Sequence, residues 1–179
     1  MASEYSIWLL PCAADAALLQ GVVEELSGAL GSPGFAPHLT IQGDIVLPRQ
    51  ALQDALAGLA GLAGRASVQR WRVAALEQGG HFFRCLYLRF AEQPAFAELQ
   101  RASAALTGTA EGLSPFPHIS LAYAKPHTGH AELAQTPRAA LAARDITFDR
   151  LAIWRSSKDV AIPDWACVAQ HPLPPGSPA

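Results

Sequence analysis

The sequence predicts an α+β fold whose strands pair mainly antiparallel. Strand-like and helix-like stretches follow one another in the order β α β α β β α β α β β, without the strict alternation of a parallel α/β protein. Several neighbouring strand-like runs are close enough to pair as hairpins, and the clearest pair flanks Gly79-Gly80. Half of the residues are hydrophobic and 16% are charged, which is a globular composition with enough apolar side chains for a core.

The N-terminal half is predicted to contain two strands and two helices. In chain order they are a strand at 4–11, a helix at 14–30, a strand at 38–47 and a helix at 48–64. Pro11 stops the first strand, and apolar residues at helical spacing then run from Asp15, a first-turn acid, to Gly31. Pro48 suits the start of the second helix because its fixed φ fits a first helical turn.

The C-terminal half is predicted to contain five strands and two helices. They are strands at 67–78 and 81–90, a helix at 92–106, a strand at 118–124, a helix at 130–144, and strands at 145–157 and 165–173. Gly79-Gly80 is the predicted hairpin turn, and Pro137 interrupts the last helix. We expect residues 1–173 to form a single domain and residues 174–179 to be a disordered tail.

The charge and cysteine content exclude several classes of protein. The net charge of -2 argues against a sequence-independent grip on long nucleic acid but leaves room for a small anionic ligand. Cys12, Cys85 and Cys167 have neither disulfide-framework nor C-x-x-C spacing, so we expect three buried free thiols. The N-terminus is a poor signal peptide, and no apolar run approaches membrane-spanning length. We therefore expect a soluble cytoplasmic monomer without a membrane partner or a stable nucleic-acid partner.

A short pattern occurs once in each half of the chain. "FAPHLTI" contains His38 and Thr40, and "PFPHISL" contains His118 and Ser120. Because side chains alternate along a strand, each histidine shares a face with its hydroxyl residue, while the intervening aliphatic side chain faces the core. One such pair is usually an ordinary surface feature. Two copies with a preceding proline and the same aliphatic positions favour a shared function.

If the two strands are neighbours, one face presents two imidazoles and two hydroxyls to a phosphoryl group. A neutral histidine can take a proton from water while the other histidine protonates the leaving oxygen, since an imidazole exists in both forms near neutral pH. The hydroxyls can donate to non-bridging oxygens. This chemistry needs no cofactor, and the His-x-Thr spacing is not a common zinc signature, so we expect no metal.

At these residues the sequence resembles the 2H phosphoesterase superfamily, and within it the cyclic nucleotide phosphodiesterase family. The flanking stretches "YSIWLLP", "HFFRCLYL" and "LAIWRS" resemble further strands of that family. The resemblance implies a bilobal, pseudo-twofold LigT-like fold, in which two antiparallel sheets flank a central cleft, the helices lie outside, and each lobe supplies one motif. It also implies hydrolysis of a 2′,3′-cyclic nucleotide or ADP-ribose 1″,2″-cyclic phosphate to a phosphomonoester. An enzyme acting on RNA ends, 2′-5′ RNA ligase-like, and a non-catalytic cyclic-phosphate binding module are the alternatives.

The resemblance also implies roles for individual residues. His38 and His118 become the acid/base pair, and Thr40 and Ser120 bind the phosphate. We assign His118 as base and His38 as acid, although the sequence is symmetric on this point.

Aromatic residues of relatives stack on the base, which suggests Trp8 and Tyr123 for that role, and Lys125 for the cleft rim. Core packing of both aromatics and a solvated Lys125 are the competing interpretations, and strict alternation puts Tyr123 on the opposite face. The remaining histidines are interpreted as surface or loop residues, namely His81, His127, His130 and His171. The other tryptophans are interpreted as core residues, namely Trp71, Trp154 and Trp165.

Overall fold

The computed structural model describes residues 3–125 and 130–176. Its strands are β1 Ser3–Pro11, β2 Leu39–Leu47, β3 Gln69–His81, β4 Arg84–Phe90, β5 His118–Ala122, β6 Asp145–Arg155 and β7 Ala166–Pro172. Its helices are α1 Ala13–Leu30, α2 Arg49–Ala63, α3 Pro94–Thr107, α4 His130–Leu133 and α5 Gln135–Leu141, with a 3-10 turn at Ile162–Asp164. The predicted order of elements is confirmed, with the last predicted helix present as α4 and α5.

All strand pairings are antiparallel, and they close into a ring. The order is β1-β2-β5-β4-β3-β6-β7, and β1 also pairs with β6, so six strands form the ring while β7 extends it from β6. The α+β class with antiparallel strands is therefore confirmed.

The ring has two halves, one made of β6, β1 and β2 and the other of β3, β4 and β5. On one side the halves are joined by β3 and β6, where the paired residues run from Gln69↔Phe148 to Arg72↔Asp145. On the other side β2 and β5 pair only at Leu39↔Ile119. The two sheets predicted from the sequence are thus present as halves of one hydrogen-bonded ring, which opens into a cleft where β2 and β5 diverge.

The hairpin between β3 and β4 differs from the prediction. The strand β3 continues through Gly79-Gly80 to His81, and the turn is at Phe82 and Phe83. The register shifts between Gln78 and His81, as in a β-bulge, and a Cβ at Gly79 would collide with the carbonyl oxygen of Arg84. The two glycines therefore allow a close strand approach, and the turn that they were expected to form lies three residues later.

One main hydrophobic core contains residues from both halves of the ring and from the helices packed on it. Helix α1 buries Leu19, Val23 and Leu26, and it ends at Gly31, whose φ of 63° gives a left-handed C-cap. Within residues 3–125 and 130–176, no helix has the length and hydropathy needed to cross a membrane.

Two further expectations concern the cysteines and the tail. Cys85 is a buried free thiol and burial raises its pKa, whereas Cys12 is half-buried and Cys167 is exposed on β7, so general burial was wrong. Residues 177–179 of the predicted tail lie outside the described residues. At its start the carbonyl oxygen of Pro174 accepts a hydrogen bond from the Val68 N–H at 2.9 Å. The extent of the domain remains a prediction.

Candidate active site

The two His-x-hydroxyl motifs meet at the Leu39↔Ile119 pair. Both aliphatic side chains are fully buried, as alternation along the strands requires. An antiparallel register around this pair carries Thr40 toward His118 and His38 toward Ser120. All four side chains line one cleft of about 460 Å³. The central supposition of the sequence analysis, that β2 and β5 are neighbours, is therefore confirmed.

The His38 ring is held on two sides. Its Nδ1 lies 2.7 Å from the Ala36 carbonyl oxygen, which can only accept, so Nδ1 carries the proton and Nε2 is left with a free lone pair. The ring also stacks on Trp8, with centroids 3.5 Å apart and planes 8° from parallel. Burial lowers the pKa of His38 to about 4. The hydrogen bond to Ala36 raises this pKa, and the charge of His118 lowers it further, but burial is the largest effect. His38 is therefore neutral in the free protein at pH 7.

His118 repeats this arrangement. Its Nδ1–H donates to the carbonyl oxygen of Phe116 at 2.9 Å, and the Ser114 hydroxyl oxygen lies 3.5 Å from the same nitrogen. Burial lowers the pKa of His118 to about 4; the Phe116 hydrogen bond opposes this, and Arg84 and Arg89 lower the pKa further. Both histidines thus have their Nδ1 tied to a carbonyl two residues earlier and their Nε2 free.

The Ser120 and Thr40 hydroxyl groups have different surroundings. The Ser120 hydroxyl donates to the Phe83 carbonyl oxygen at 2.8 Å. Thr40 pairs with Trp8 across β1 and β2 and is half-buried. A ligand oxygen would therefore compete with Phe83 for the Ser120 proton.

Trp8 lies in the cleft wall with both faces covered. Besides His38, Trp154 stacks on it at 4.5 Å and 24°, and two rings at these distances must lie on opposite faces. Trp8 is 2% exposed. In this arrangement it has no open face for a nucleobase, and its contact with the site is with His38.

Tyr123 lines the cleft, although strict alternation puts it on the opposite face. The reason is that β5 ends at Ala122, so the alternation does not extend to Tyr123. Its ring stacks on Phe35 at 3.7 Å and 12°, and burial raises the pKa of its hydroxyl.

The structure places the other predicted residues in three environments. Lys125 is exposed and does not line the cleft. Among the described residues, Arg84 and Lys158 are the Lys and Arg side chains that line it. Trp165 is half-buried and lines the cleft, which corrects its interpretation as a core residue. His81 is exposed, as predicted, and also lines the cleft. Trp71 is a core residue as predicted, and Trp154 is half-buried and packs on Trp8. Among the histidines, His171 lies on β7 outside the cleft. The His130 side chain is not described, and His127 lies outside the described residues.

The sequence analysis missed the loop residues that line the cleft. They come from the β3–β4 turn, from the loop before β5 and from the segment after β6, and they include Phe83, Arg84, Ser114, Ser156, Ser157 and Lys158. Their separation in the sequence hides their proximity. Phe83 and Arg84, which follow the glycine pair after His81 and Phe82, carried the one local signal, since a predicted hairpin turn lies beside them.

The loop before β5 is held by Gln42, a fully buried residue of β2. Its side-chain amide donates to the carbonyl oxygens of Thr109 at 2.9 Å and Glu111 at 2.7 Å, and its carbonyl oxygen accepts from the hydroxyls of Ser103 at 2.6 Å and Thr107 at 3.2 Å. Every hydrogen-bonding position of this amide is occupied. Gln42 thereby fixes the loop that leads to Ser114 and His118.

Within the described parts of the chain, no group of three His, Cys, Asp or Glu side chains is arranged as metal ligands.

An antiparallel α+β ring with two histidine–hydroxyl pairs on adjacent strands defines a 2H phosphoesterase. The family profile of the 2′-5′ RNA ligase superfamily matches residues 13–160, and the chain belongs to this superfamily of 2H phosphoesterases. A cyclic phosphodiesterase of Arabidopsis thaliana is 26% identical over 180 residues, which cover 96% of each protein.

Solved structures share the fold. TT0787 of Thermus thermophilus superposes with a TM-score of 0.64 at 19% identity, covering 97% of this chain and 100% of that one. E. coli LigT, in its complex with ATP, superposes with a TM-score of 0.60 at 16% identity, covering 97% of this chain and 99% of that one. The predicted LigT-like fold is confirmed.

Proposed function

We propose that this protein hydrolyses a cyclic phosphodiester on a ribose to a phosphomonoester, without a metal ion, by a two-histidine acid/base mechanism. The observation that carries the proposal is the pair of neutral imidazoles, each with Nδ1 tied to a carbonyl and Nε2 free, on the two strands joined at Leu39↔Ile119. The similarity to a cyclic phosphodiesterase supports a 2′,3′-cyclic nucleotide or ADP-ribose 1″,2″-cyclic phosphate as substrate.

In the proposed reaction one histidine acts on water and the other on the ribose oxygen. His118 Nε2 takes a proton from a water molecule as its oxygen bonds to phosphorus. One ester bond of the ring breaks, and protonated His38 gives its Nε2 proton to the departing oxygen. Water is consumed, and the product is a monoester with a free hydroxyl. The Thr40 and Ser120 hydroxyls donate to the non-bridging oxygens, where negative charge develops.

The surroundings of the two imidazoles support this assignment of base and acid. The positive charges of Arg84 and Arg89 oppose protonation of His118, which suits a base. His38 lies against the indole face of Trp8, which favours a cationic ring, and this suits an acid. The negative charge of a bound phosphate raises both pKa values from about 4 toward neutrality, so one histidine can be protonated in the complex.

The size of the cleft favours a small substrate. Its volume of about 460 Å³ lies within the usual range for small-molecule sites, and the chain carries a net charge of -2. Both properties suit a cyclic mononucleotide better than a long RNA. An oligonucleotide with a cyclic end remains the comparison substrate, because the chain belongs to the 2′-5′ RNA ligase superfamily.

The decisive experiment is hydrolysis of 2′,3′-cyclic nucleotides, ADP-ribose cyclic phosphate and cyclic-ended oligonucleotides in excess chelator, with products assigned by phosphorus NMR. We expect turnover of the small substrates, and a kcat lower by about 10²–10⁴-fold in His38→Ala and in His118→Ala. The control His171→Ala removes a histidine outside the cleft and should retain wild-type kcat. Full activity of either active-site variant would end the proposal, and calorimetric binding without product would make the protein a binding module.

A further inference from the structure

Arg84 is the first residue of β4 and lines the cleft directly after the Phe82–Phe83 turn. Two hydrogen bonds fix this turn to the β5 side of the site. The Ser120 hydroxyl donates to the Phe83 carbonyl oxygen at 2.8 Å, and the Ala124 N–H donates to the Phe82 carbonyl oxygen at 3.2 Å. The position of Arg84 is therefore tied to a hydroxyl of the phosphate site.

The Arg84 guanidinium is supported by aromatic rings. Its Cζ lies 4.9 Å from the ring centroid of Phe116 and 5.9 Å from that of Tyr87. Arg89 also lies over Phe116, at 4.3 Å, but it is 3.6 Å from the carboxylate of Glu77. None of the ion pairs formed within residues 3–125 and 130–176 includes Arg84. A guanidinium held over an aromatic ring can still donate its N–H groups to a ligand.

Arg84 is close to the proposed reaction centre but separate from its acid/base groups. Phe116 and Tyr87, which support Arg84, also contact His118, with ring centroids 5.2 Å and 5.7 Å from the imidazole. Arg84 thus adjoins His118 through shared aromatic neighbours. In the proposed reaction the ring phosphate lies between the two Nε2 atoms and has the Thr40 hydroxyl as a donor, and it gains the Ser120 hydroxyl when that proton leaves the Phe83 carbonyl oxygen.

The other cation of the cleft has a different environment. Lys158 is exposed, and its main-chain N–H donates to the Asp44 carboxylate at 3.1 Å, so a negative charge lies beside it. Arg84 is half-buried and can form the planar, bidentate hydrogen bonds that suit a phosphate group. Arg84 is therefore the cleft cation better suited to receive an anionic group of a ligand.

We propose that Arg84 binds a second phosphate group of the substrate, separate from the cyclic phosphate. The preferred substrates are then cyclic-phosphate nucleotides that carry a further phosphate, such as a 5′-phosphate. This inference rests on the proposed function, because it takes the cyclic phosphate to lie between His38 and His118.

Binding of two inert nucleotides tests the inference independently of turnover. We would measure by calorimetry the affinities of adenosine 2′-phosphate and adenosine 2′,5′-bisphosphate for the wild type, Arg84→Met and Arg89→Met. We expect the wild type to bind the bisphosphate about 10- to 100-fold more tightly, as charge-assisted hydrogen bonds allow. Arg84→Met keeps the apolar stem and should reduce this preference to less than about threefold, whereas Arg89→Met should retain it. Near-ultraviolet circular dichroism would verify the fold of both variants.

Three outcomes would overturn the inference: an equal preference in the wild type and Arg84→Met, an equal weakening of both nucleotides in Arg84→Met, or no binding of either nucleotide to the wild type. Equal weakening would place the guanidinium on the phosphate that both nucleotides share. Failure of the proposed function is a different result, since the wild type would then bind these nucleotides but hydrolyse no cyclic phosphate.

Discussion

Trp8 and His38 stack face to face, with ring centroids 3.5 Å apart and planes 8° from parallel. An indole face stabilises a cation by about 0.5–2 kcal/mol, so it raises the pKa of His38 relative to the same burial without it. Trp8→Leu removes that face. We expect the alkaline limb of the kcat–pH profile, which reports the acid, to move to lower pH by about 0.4–1.5 units.

Trp8→Phe is the matched control for this prediction. It keeps an aromatic face beside His38, so its alkaline limb should move less than that of Trp8→Leu. An unchanged alkaline limb in Trp8→Leu would show that the stacking does not influence the acid.

Buried His38 and half-buried His118, both with a lowered pKa, should make the fold sensitive to acid. Their pKa is about 4 in the folded protein and 6.5 for an unperturbed imidazole, so between these values the unfolded chain binds more protons. The free energy of unfolding should therefore fall as the pH drops from 6.5 to 4, by up to about 1.4 kcal/mol per pH unit for each histidine. Urea denaturation at a series of pH values measures the slope. His38→Gln should reduce the slope, and Thr40→Val, which removes no titrating group, should not.

Gln42 should contribute strongly to stability because its amide forms four hydrogen bonds at a fully buried position. Gln42→Leu leaves the carbonyl oxygens of Thr109 and Glu111 without this partner. We expect a loss of about 2–4 kcal/mol in the free energy of unfolding, measured with urea. Gln50→Leu, at an exposed position in α2, should change it by less than about 0.5 kcal/mol. A similar small loss for Gln42→Leu would mean that the loop keeps its place without the amide.

Alanine substitutions at Gly112 and Gly108 can distinguish the energetic cost of a strained backbone from that of a steric collision. Their φ angles are nearly equal, at 73° and 72°, but a Cβ at Gly112 would collide with the Gly43 carbonyl oxygen, while one at Gly108 has nothing within 4 Å. We expect Gly108→Ala to cost about 1 kcal/mol of unfolding free energy and Gly112→Ala to cost at least about 2 kcal/mol. Equal losses would indicate that the loop moves away from β2 without cost.

The face that carries the two histidine–hydroxyl pairs was predictable because its information is local. Alternation along a strand fixes which side chains share a face, and the repeated Pro-His pattern identified His38 and His118 before their strands were known to pair. The strand and helix order was predictable for the same reason, since each element carries its own apolar period and boundary residues.

The cleft walls depend on contacts between distant segments. Phe83 reaches the site only because β3 bulges at Gly79 and moves the turn past the glycine pair. Trp8 has the residue type of a base-stacking platform, but Trp154, far along the chain, covers the face that a base would need. Neither relationship leaves a pattern in the residues around these positions.

The Leu39↔Ile119 pair joins the two strands that carry the histidines through main-chain contacts. Each imidazole is also tied at Nδ1 to a carbonyl group two residues earlier. The segment after β6 supplies Ser156, Ser157 and Lys158 to the cleft lining and takes part in none of these contacts. Substitutions in that segment can therefore reshape the cleft while the proposed proton-transfer pair keeps its placement. Ligand recognition can thus change separately from the proposed reaction.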